Sequence, residues 1–88
     1  MYPKIVNLRH EAYDIYIGRG TKWGNPFIIN KDGNREEVIQ KYEDYFCKNK
    51  YLLYALQELE DKILGCHCKP LACHGDILIK HYRRLYEE

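Results

Sequence analysis

The chain has 88 residues, and its 14 lysine and arginine residues against 13 aspartate and glutamate residues leave a formal net charge of +1. This length supports one domain, residues 1–88, which buries roughly 60% of the surface that the unfolded chain would expose. No stretch approaches the roughly 20 apolar residues of a membrane span, and no signal-peptide run opens the sequence. We therefore expect a cytoplasmic protein with no membrane partner. The balanced charge also argues against nucleic acid as a partner, because nucleic-acid-binding domains are usually basic.

Three of the four cysteines crowd together near a histidine. Cys66, Cys68 and Cys73 fall within eight residues beside His67 and His74, whereas Cys47 stands alone. A disulfide framework would need scattered, paired spacing, so this cluster favours a metal site or a reactive site with reduced thiols.

The first third of the chain predicts short strands. Residues 4–8 form a β-branched run, and residues 13–18 alternate in the period-two pattern of a half-buried strand. Only residues 9–12 separate them, and so short a connector predicts an antiparallel pair. Residues 27–29 predict a brief edge strand.

The rest of the chain predicts helices around one further strand. A capping-box-like start at residues 34–37 precedes a helix over residues 35–48, and residues 52–59 give a second, shorter helical face. Residues 62–68 predict a buried strand, and a C-terminal helix carries an apolar stripe over residues 77–85. The fold class is therefore α/β or α+β, a compact domain in the order β-β-(β)-α-α-β-α. Its sheet would have three or four strands, packed against about three helices.

A glycine-rich segment follows the second predicted strand. Its glycines permit close backbone approach to a ligand, Arg19 can bind a phosphate, Trp23 can stack on a base, and Asn25 carries amide donors and an acceptor. The alternative is a loop that needs its glycines for turns, with Trp23 in the core, because the segment lacks the glycine spacing of dinucleotide-binding sites and P-loops. The predicted ligand-binding residues here are Gly18, Arg19, Gly20, Trp23, Gly24 and Asn25.

The cysteine cluster bridges the last strand and the last helix. Pro70 would stop the strand, and Cys73, His74 and Gly75 would fall at the helix N-terminus. Free N–H groups and the helix dipole at that position favour an anion and lower the pKa of a thiol.

Three interpretations of this segment remain open. Zinc could take Cys66, Cys68, Cys73 and His74 as ligands, although the usual paired spacing is absent. Alternatively, Cys68 or Cys73 could act as a nucleophile with His74 as base. In the third interpretation the cysteines pack in the core and the helix N-terminus binds an anion.

The two segments together resemble a small family found in phages and prokaryotes, the domain of unknown function numbered 4326. The resemblance rests on residues 16–19 (Tyr-Ile-Gly-Arg), 23–27 (Trp-Gly-Asn-Pro-Phe), 64–70 (Leu-Gly-Cys-His-Cys-Lys-Pro) and 73–76 (Cys-His-Gly-Asp). His67 departs from the aromatic residue expected there. The resemblance implies a phage-borne setting and one domain that carries both loops, but no activity.

Our leading hypothesis is a small domain that binds a nucleotide or a nucleotide-derived phosphorylated molecule. A phage would encode this domain as an accessory or counter-defence protein. Cys68 and Gly75 would add to its ligand-binding residues, and Asp76 would bond base or ribose. The first alternative is an enzyme acting on such a ligand through Cys73, His74 and Asp76. The second is a zinc-stabilised interaction module. The sequence identifies no cofactor, and its tyrosine-rich helices leave a homodimer open.

Overall fold

A computed structural model describes residues 3–69 and 71–86. Two strands, β1 (Lys4–Asn7) and β2 (Ile15–Tyr16), precede helices α1 (Arg35–Cys47) and α2 (Lys50–Ala55). A 3-10 turn (Leu56–Leu59) continues α2, and strand β3 (Ile63–Cys66) and helix α3 (Gly75–Tyr86) follow. This confirms the mixed α/β class and its approximate element order. None of the three helices within the described residues combines the length and apolar character that crossing a bilayer requires.

The sheet is parallel, with strand order β1-β3-β2. The prediction of an antiparallel β1–β2 pair was wrong, because β3 lies between them and pairs with both. Strands β1 and β2 have only four and two residues, so the short segment between them can pass back over β3 and start β2 in the same direction as β1. Tyr13 of that connector lies over Gly65 of β3, where an added Cβ would come 2.6 Å from the tyrosine ring.

Two other strand predictions need correction. Residues 27–29 form no strand within the described part of the chain, and Ile29 makes only an isolated bridge to Gly33. The Asp32 carboxylate accepts the backbone N–H of Ile28, which holds this segment in a tight turn. Strand β3 ends at Cys66, two residues earlier than expected, and Pro70 lies outside the described residues.

Helix α1 begins where its sequence predicts. The Asn34 side chain accepts the N–H of Glu37, whose carboxylate accepts the N–H of Asn34, and this capping box contributes about 1 kcal/mol. Its buried residues, Val38, Tyr42 and Phe46, are spaced by four, so one stripe of the helix faces the core.

The core lies between the sheet and the helices. Its fully buried members include Ile17, Tyr42, Phe46, Leu56, Leu59, Leu64 and Leu78. The same packing sets α1 and α3 beside the carboxyl ends of the strands, where the candidate site lies.

Candidate functional site: a cleft at the carboxyl edge of the sheet

The two segments singled out in the sequence meet at one edge of the sheet. Because β2 and β3 are parallel neighbours, the chain leaves both strands at the same edge. The first loop, residues 17–34, follows β2, and the second loop, residues 67–74, follows β3. The two loops therefore converge at this edge, which is where open α/β sheets bind ligands.

A cleft of about 240 Å³ opens between the two loops and helix α1. It is lined by both loops, by the ends of β2 and β3, and by the first turns of α1. From the sheet and the first loop come Tyr16, Gly18, Arg19, Asn25, Phe27 and Ile29. From α1 come Arg35, Val38 and Ile39, and from β3 and the second loop come Cys66, His67, Cys68, Ala72, Cys73 and His74.

The permanent charges of the cleft are positive. Arg19 and Arg35 line it, and none of its described lining residues carries a carboxylate. Arg35 donates from Nη1 to the Ala72 carbonyl at 3.0 Å, which ties the start of α1 to the second loop. The cleft therefore suits an anionic ligand, since guanidinium groups bind phosphate and carboxylate through charge-assisted hydrogen bonds.

His74 joins the two loops. Its Nε2 lies 2.6 Å from the Ile17 carbonyl oxygen, so this nitrogen carries the proton, and Nδ1 holds the lone pair of the neutral ring. Burial lowers the pKa of His74, which keeps the ring neutral near pH 7. Asn7, at the end of β1, holds the second loop from the other side by donating to the Lys69 carbonyl at 2.6 Å.

Cys73 lies in the cleft, but its surroundings suppress its reactivity. Burial, reinforced by the neighbouring Cys66 thiol at 3.5 Å, raises the pKa of Cys73 to about 12. A thiol with that pKa is protonated near neutral pH, whereas nucleophilic cysteines need a lowered pKa. The expectation that the helix N-terminus lowers the pKa of this thiol was therefore wrong, because desolvation outweighs the hydrogen bond from the Gly75 N–H.

The zinc cluster predicted from the cysteine spacing does not assemble. Among the described residues, Cys66, Cys68, Cys73 and His74 do not yield three ligand atoms within reach of one ion. Cys66 and Cys73 are buried side by side, and the Nε2 of His74 bonds to Ile17. A group of three ligand atoms does form within the described part of the chain, but at Glu43, Cys47 and His81, away from this segment.

The N-terminus of α3 supplies fewer free donors than the sequence suggested. The Asp76 carboxylate accepts the N–H of Cys73 at 3.1 Å and pairs with Lys69 at 2.6 Å. The Gly75 N–H bonds to the Cys73 sulfur. Gly75 itself is buried, where an added Cβ would come 2.5 Å from Ile5. Asp76 thus fixes the turn that leads into the helix, and the predicted anion site at Cys73 and Gly75 is largely occupied from within.

Some side chains of the first loop line the cleft, and others are buried in the core. Gly18 and Arg19 line the cleft, whereas Trp23 is only 3% exposed and packs against Phe46, which places its ring away from a ligand. Asn25 lines the cleft too.

The polar atoms of Asn25 are used within the protein. Its Nδ2 donates to the Val38 carbonyl at 3.2 Å, and its Oδ1 accepts the N–H of Phe27 at 2.9 Å. Gly24 approaches the backbone so closely that an added Cβ would lie 2.7 Å from the Gly18 oxygen. Gly20 has a φ of +89° and turns the loop. These residues shape the loop, as the alternative interpretation proposed.

Sequence reasoning missed several residues of the cleft. Arg35 was seen only as the first residue of a helix, and nothing local distinguishes it from a solvated arginine. Tyr16 and His67 line the cleft with their rings 6.0 Å apart, edge to face, although the departure at His67 had argued against a role. These residues could have been found only by recognising that β2 and β3 are parallel, because parallel strands bring the residues at their carboxyl ends to the same edge of the sheet.

Fold and cleft together define a small mixed α/β domain with a three-stranded parallel sheet and a basic cleft at its carboxyl edge. The chain belongs to the DUF4326 family, a domain of unknown function whose model matches residues 4–84. It is similar to an uncharacterized 12.4 kDa protein in the nrdA-td intergenic region of Enterobacteria phage T4. The two are 36% identical over 90 residues, which cover 97% of this chain and 82% of that protein.

The chain is also similar to the uncharacterized protein R718 of Acanthamoeba polyphaga mimivirus. Here the identity is 34% over 88 residues, which cover 80% of this chain and 67% of that protein. No solved protein structure shows significant similarity to this chain. The relatives confirm a family with viral members.

Proposed function

We propose that the cleft binds a small phosphorylated molecule of the nucleotide type. The observation that carries this proposal is that both Arg19 and Arg35 line a cleft whose described lining has no carboxylate. A neutral or cationic ligand would leave both guanidinium groups without a counter-charge, whereas a phosphate can accept hydrogen bonds from both.

The remaining lining favours an aromatic or sugar group beside the phosphate. Tyr16 and Phe27 contribute rings, and Val38 and Ile39 contribute apolar surface. Ligand sites typically combine apolar and aromatic walls with a few polar groups that fix orientation, in about 300–1,000 Å³. At about 240 Å³ the cleft lies just below that range, so it suits a mononucleotide better than a dinucleotide.

Binding without catalysis is the better-supported activity. The raised pKa of Cys73 weakens it as a nucleophile, and the Asp76 carboxylate is engaged with Lys69 and the helix end. The Nε2–H of His74 donates a hydrogen bond to the Ile17 carbonyl, which holds the two loops together.

The viral relatives support a role as an accessory protein. A virus-encoded domain that binds a nucleotide without turning it over would sequester that nucleotide, and a host defence signal is one such target. The same role requires the domain to be present in the host cytoplasm.

Isothermal titration calorimetry tests the proposal directly. The ligands are inorganic phosphate, ribose 5-phosphate, adenosine, AMP, the other mononucleotides, ADP-ribose and NAD. We expect a mononucleotide to bind more tightly than either phosphate or adenosine alone, because both ends of the cleft contribute. Arg19→Ala and Arg35→Gln should each weaken binding about 10- to 100-fold, since a hydrogen bond to a charged group contributes about 1.5–3 kcal/mol.

Arg9→Ala is the matched control, because Arg9 is exposed and lies outside the cleft lining. It removes the same charge and should leave the affinity unchanged. If all three substitutions weakened ligand binding equally, the loss of affinity would come from the change in net charge and not from the cleft. Absence of heat with every phosphorylated ligand, for protein that circular dichroism shows to be folded, would rule the proposal out. Conversion of a ligand during the titration, detected by chromatography, would instead favour the enzyme.

A further inference from the structure

A second group of chemically active side chains lies outside the cleft lining, between helices α1 and α3. Glu43 and Cys47 are four residues apart on α1 and therefore share one face of that helix. His81 reaches them from α3. Their ligand atoms, one carboxylate oxygen, one sulfur and one ring nitrogen, all lie within 4.8 Å of one another.

The Glu43 carboxylate and the Cys47 thiol both contact the same ring nitrogen of His81. The Nε2 of His81 lies 2.8 Å from the Glu43 Oε2 and 3.5 Å from the Cys47 Sγ. A nucleophile relay would instead place the thiol and the carboxylate at opposite nitrogens of the ring, so that the carboxylate orients the base. The arrangement thus lacks the geometry of an activated cysteine, but its three ligand atoms face a common point.

We propose that Glu43, Cys47 and His81 bind a zinc ion. Sulfur, imidazole nitrogen and carboxylate oxygen are the three ligand types that zinc takes from proteins. Tetrahedral bonds of about 2.3 Å to sulfur and about 2.0–2.1 Å to nitrogen and oxygen place ligand atoms about 3.4–3.6 Å apart. The sulfur–nitrogen separation of 3.5 Å already meets this requirement, and the carboxylate at 2.8 Å need withdraw by only about 0.6 Å.

Zinc binding requires a local exchange of protons and partners. The Cys47 thiol gives its proton to solvent and binds as thiolate, while the proton of the neutral His81 ring moves through solvent from Nε2 to Nδ1. Arg84, whose Nε donates to that Nδ1 at 3.0 Å, must then withdraw. Lys80, 2.8 Å from the Glu43 carboxylate, must also move away from that carboxylate. Both cationic side chains are exposed and can turn into solvent.

The metal would clamp two helices together. Since α1 and α3 both line the core, an ion held by both helices stabilises the folded chain by the free energy of its binding. The fourth zinc position would be filled by water, because Cys47 is exposed. This site and the cleft are separate, so the zinc proposal stands or falls independently of the proposed function.

Cobalt(II) and zinc(II) titrations of the full chain, reduced and stripped of metal, test the site. We expect cobalt to give the ligand-field bands of a tetrahedral site together with a thiolate-to-cobalt charge-transfer band, and zinc to displace it. Zinc should also raise the melting temperature. Cys47→Ala should lower the zinc affinity at least about 100-fold. This exceeds the usual loss of affinity when only a residue that hydrogen-bonds to a metal ligand is removed.

Cys68→Ala is the matched control, because it removes another accessible thiol that lies in the cleft. It should leave the zinc affinity unchanged. Lys80→Ala and Arg84→Ala should each tighten binding about two- to fivefold by removing a competing cation. The proposal is overturned if cobalt gives no thiolate band. It is equally overturned if folded Cys47→Ala keeps the wild-type affinity, or if Cys68→Ala loses it.

Discussion

The Nε2 of His74 donates a hydrogen bond of 2.6 Å to the Ile17 carbonyl, which links the two loops of the cleft across 57 residues of sequence. Both partners are buried, His74 immediately before α3 and Ile17 immediately after β2. The histidine that the sequence offered as a base or a metal ligand therefore holds the cleft together.

Substitutions at His74 should separate this structural role from a chemical one. His74→Leu leaves the Ile17 carbonyl without its donor and should lower the free energy of unfolding by about 1–3 kcal/mol. His74→Gln keeps an N–H donor at the end of a side chain of similar reach and should cost less. Urea denaturation measures both, and equal losses would contradict a role for the hydrogen bond.

The stability of the protein should fall in mildly acidic solution. Burial lowers the pKa of His74 from its ordinary value of 6.5, so the unfolded chain takes up a proton more readily than the folded one. The free energy of unfolding should therefore decrease as the pH falls below about 6.5, and level off below the folded pKa. Denaturation at a series of pH values measures this slope. In His74→Gln the slope between pH 6.5 and 5 should flatten, and an unchanged slope would assign it to another group.

A separate acid-sensitive contribution comes from the α1–α3 interface. Hydrogen bonds from Lys80 and His81 hold the pKa of Glu43 below its usual 4.5. This contribution is complete above about pH 4.5 and is lost as the pH falls through the lowered pKa, so it begins to fall at a lower pH than the His74 contribution.

The four thiols should react with iodoacetamide in the order of their exposure and acidity. Cys47 is exposed and should be labelled first, whereas Cys73, buried and with a pKa of about 12, should be labelled last at neutral pH. Peptide mass spectrometry of timed samples gives the order, with protein unfolded in urea as the control in which all four react alike. Rapid labelling of Cys73 in the folded protein would favour the enzyme over the binding protein.

The first loop should tolerate loss of a hydrogen bond better than an added methyl group. Gly24→Ala places a carbon 2.7 Å from the Gly18 oxygen, and backbone atoms must shift to accommodate it, which should cost about 1–3 kcal/mol. Thr21→Ala removes the 2.8 Å hydrogen bond to the same oxygen and should cost about 1 kcal/mol.

Thermal unfolding and nucleotide titration measure the two loop variants. Gly24→Ala should also weaken ligand binding, because Gly18 and Arg19 would be displaced. Ligand affinity equal to that of wild type would show that the cleft does not depend on this close approach.

Local features were predictable from the sequence alone. The capping box at Asn34 and Glu37 and the spacing of Val38, Tyr42 and Phe46 specify α1 within a few residues of chain. Helix geometry depends on neighbours three and four positions apart, so such patterns need no distant partner. The two loops were recognisable for the same reason, since their glycine, arginine, cysteine and histidine residues lie close together in sequence.

Tertiary structure alone decided which strands pair and which side chains meet in the cleft. Lys4 pairs opposite Ile63, and this parallel pairing overturned the antiparallel prediction that a short connector favours. The fold brought Arg35 into the cleft and took Trp23 out of it. These outcomes depend on hydrogen bonds and burial between residues tens of positions apart, which no local pattern encodes. Length, charge and short-range periodicity thus determined the elements, and long-range packing determined the site.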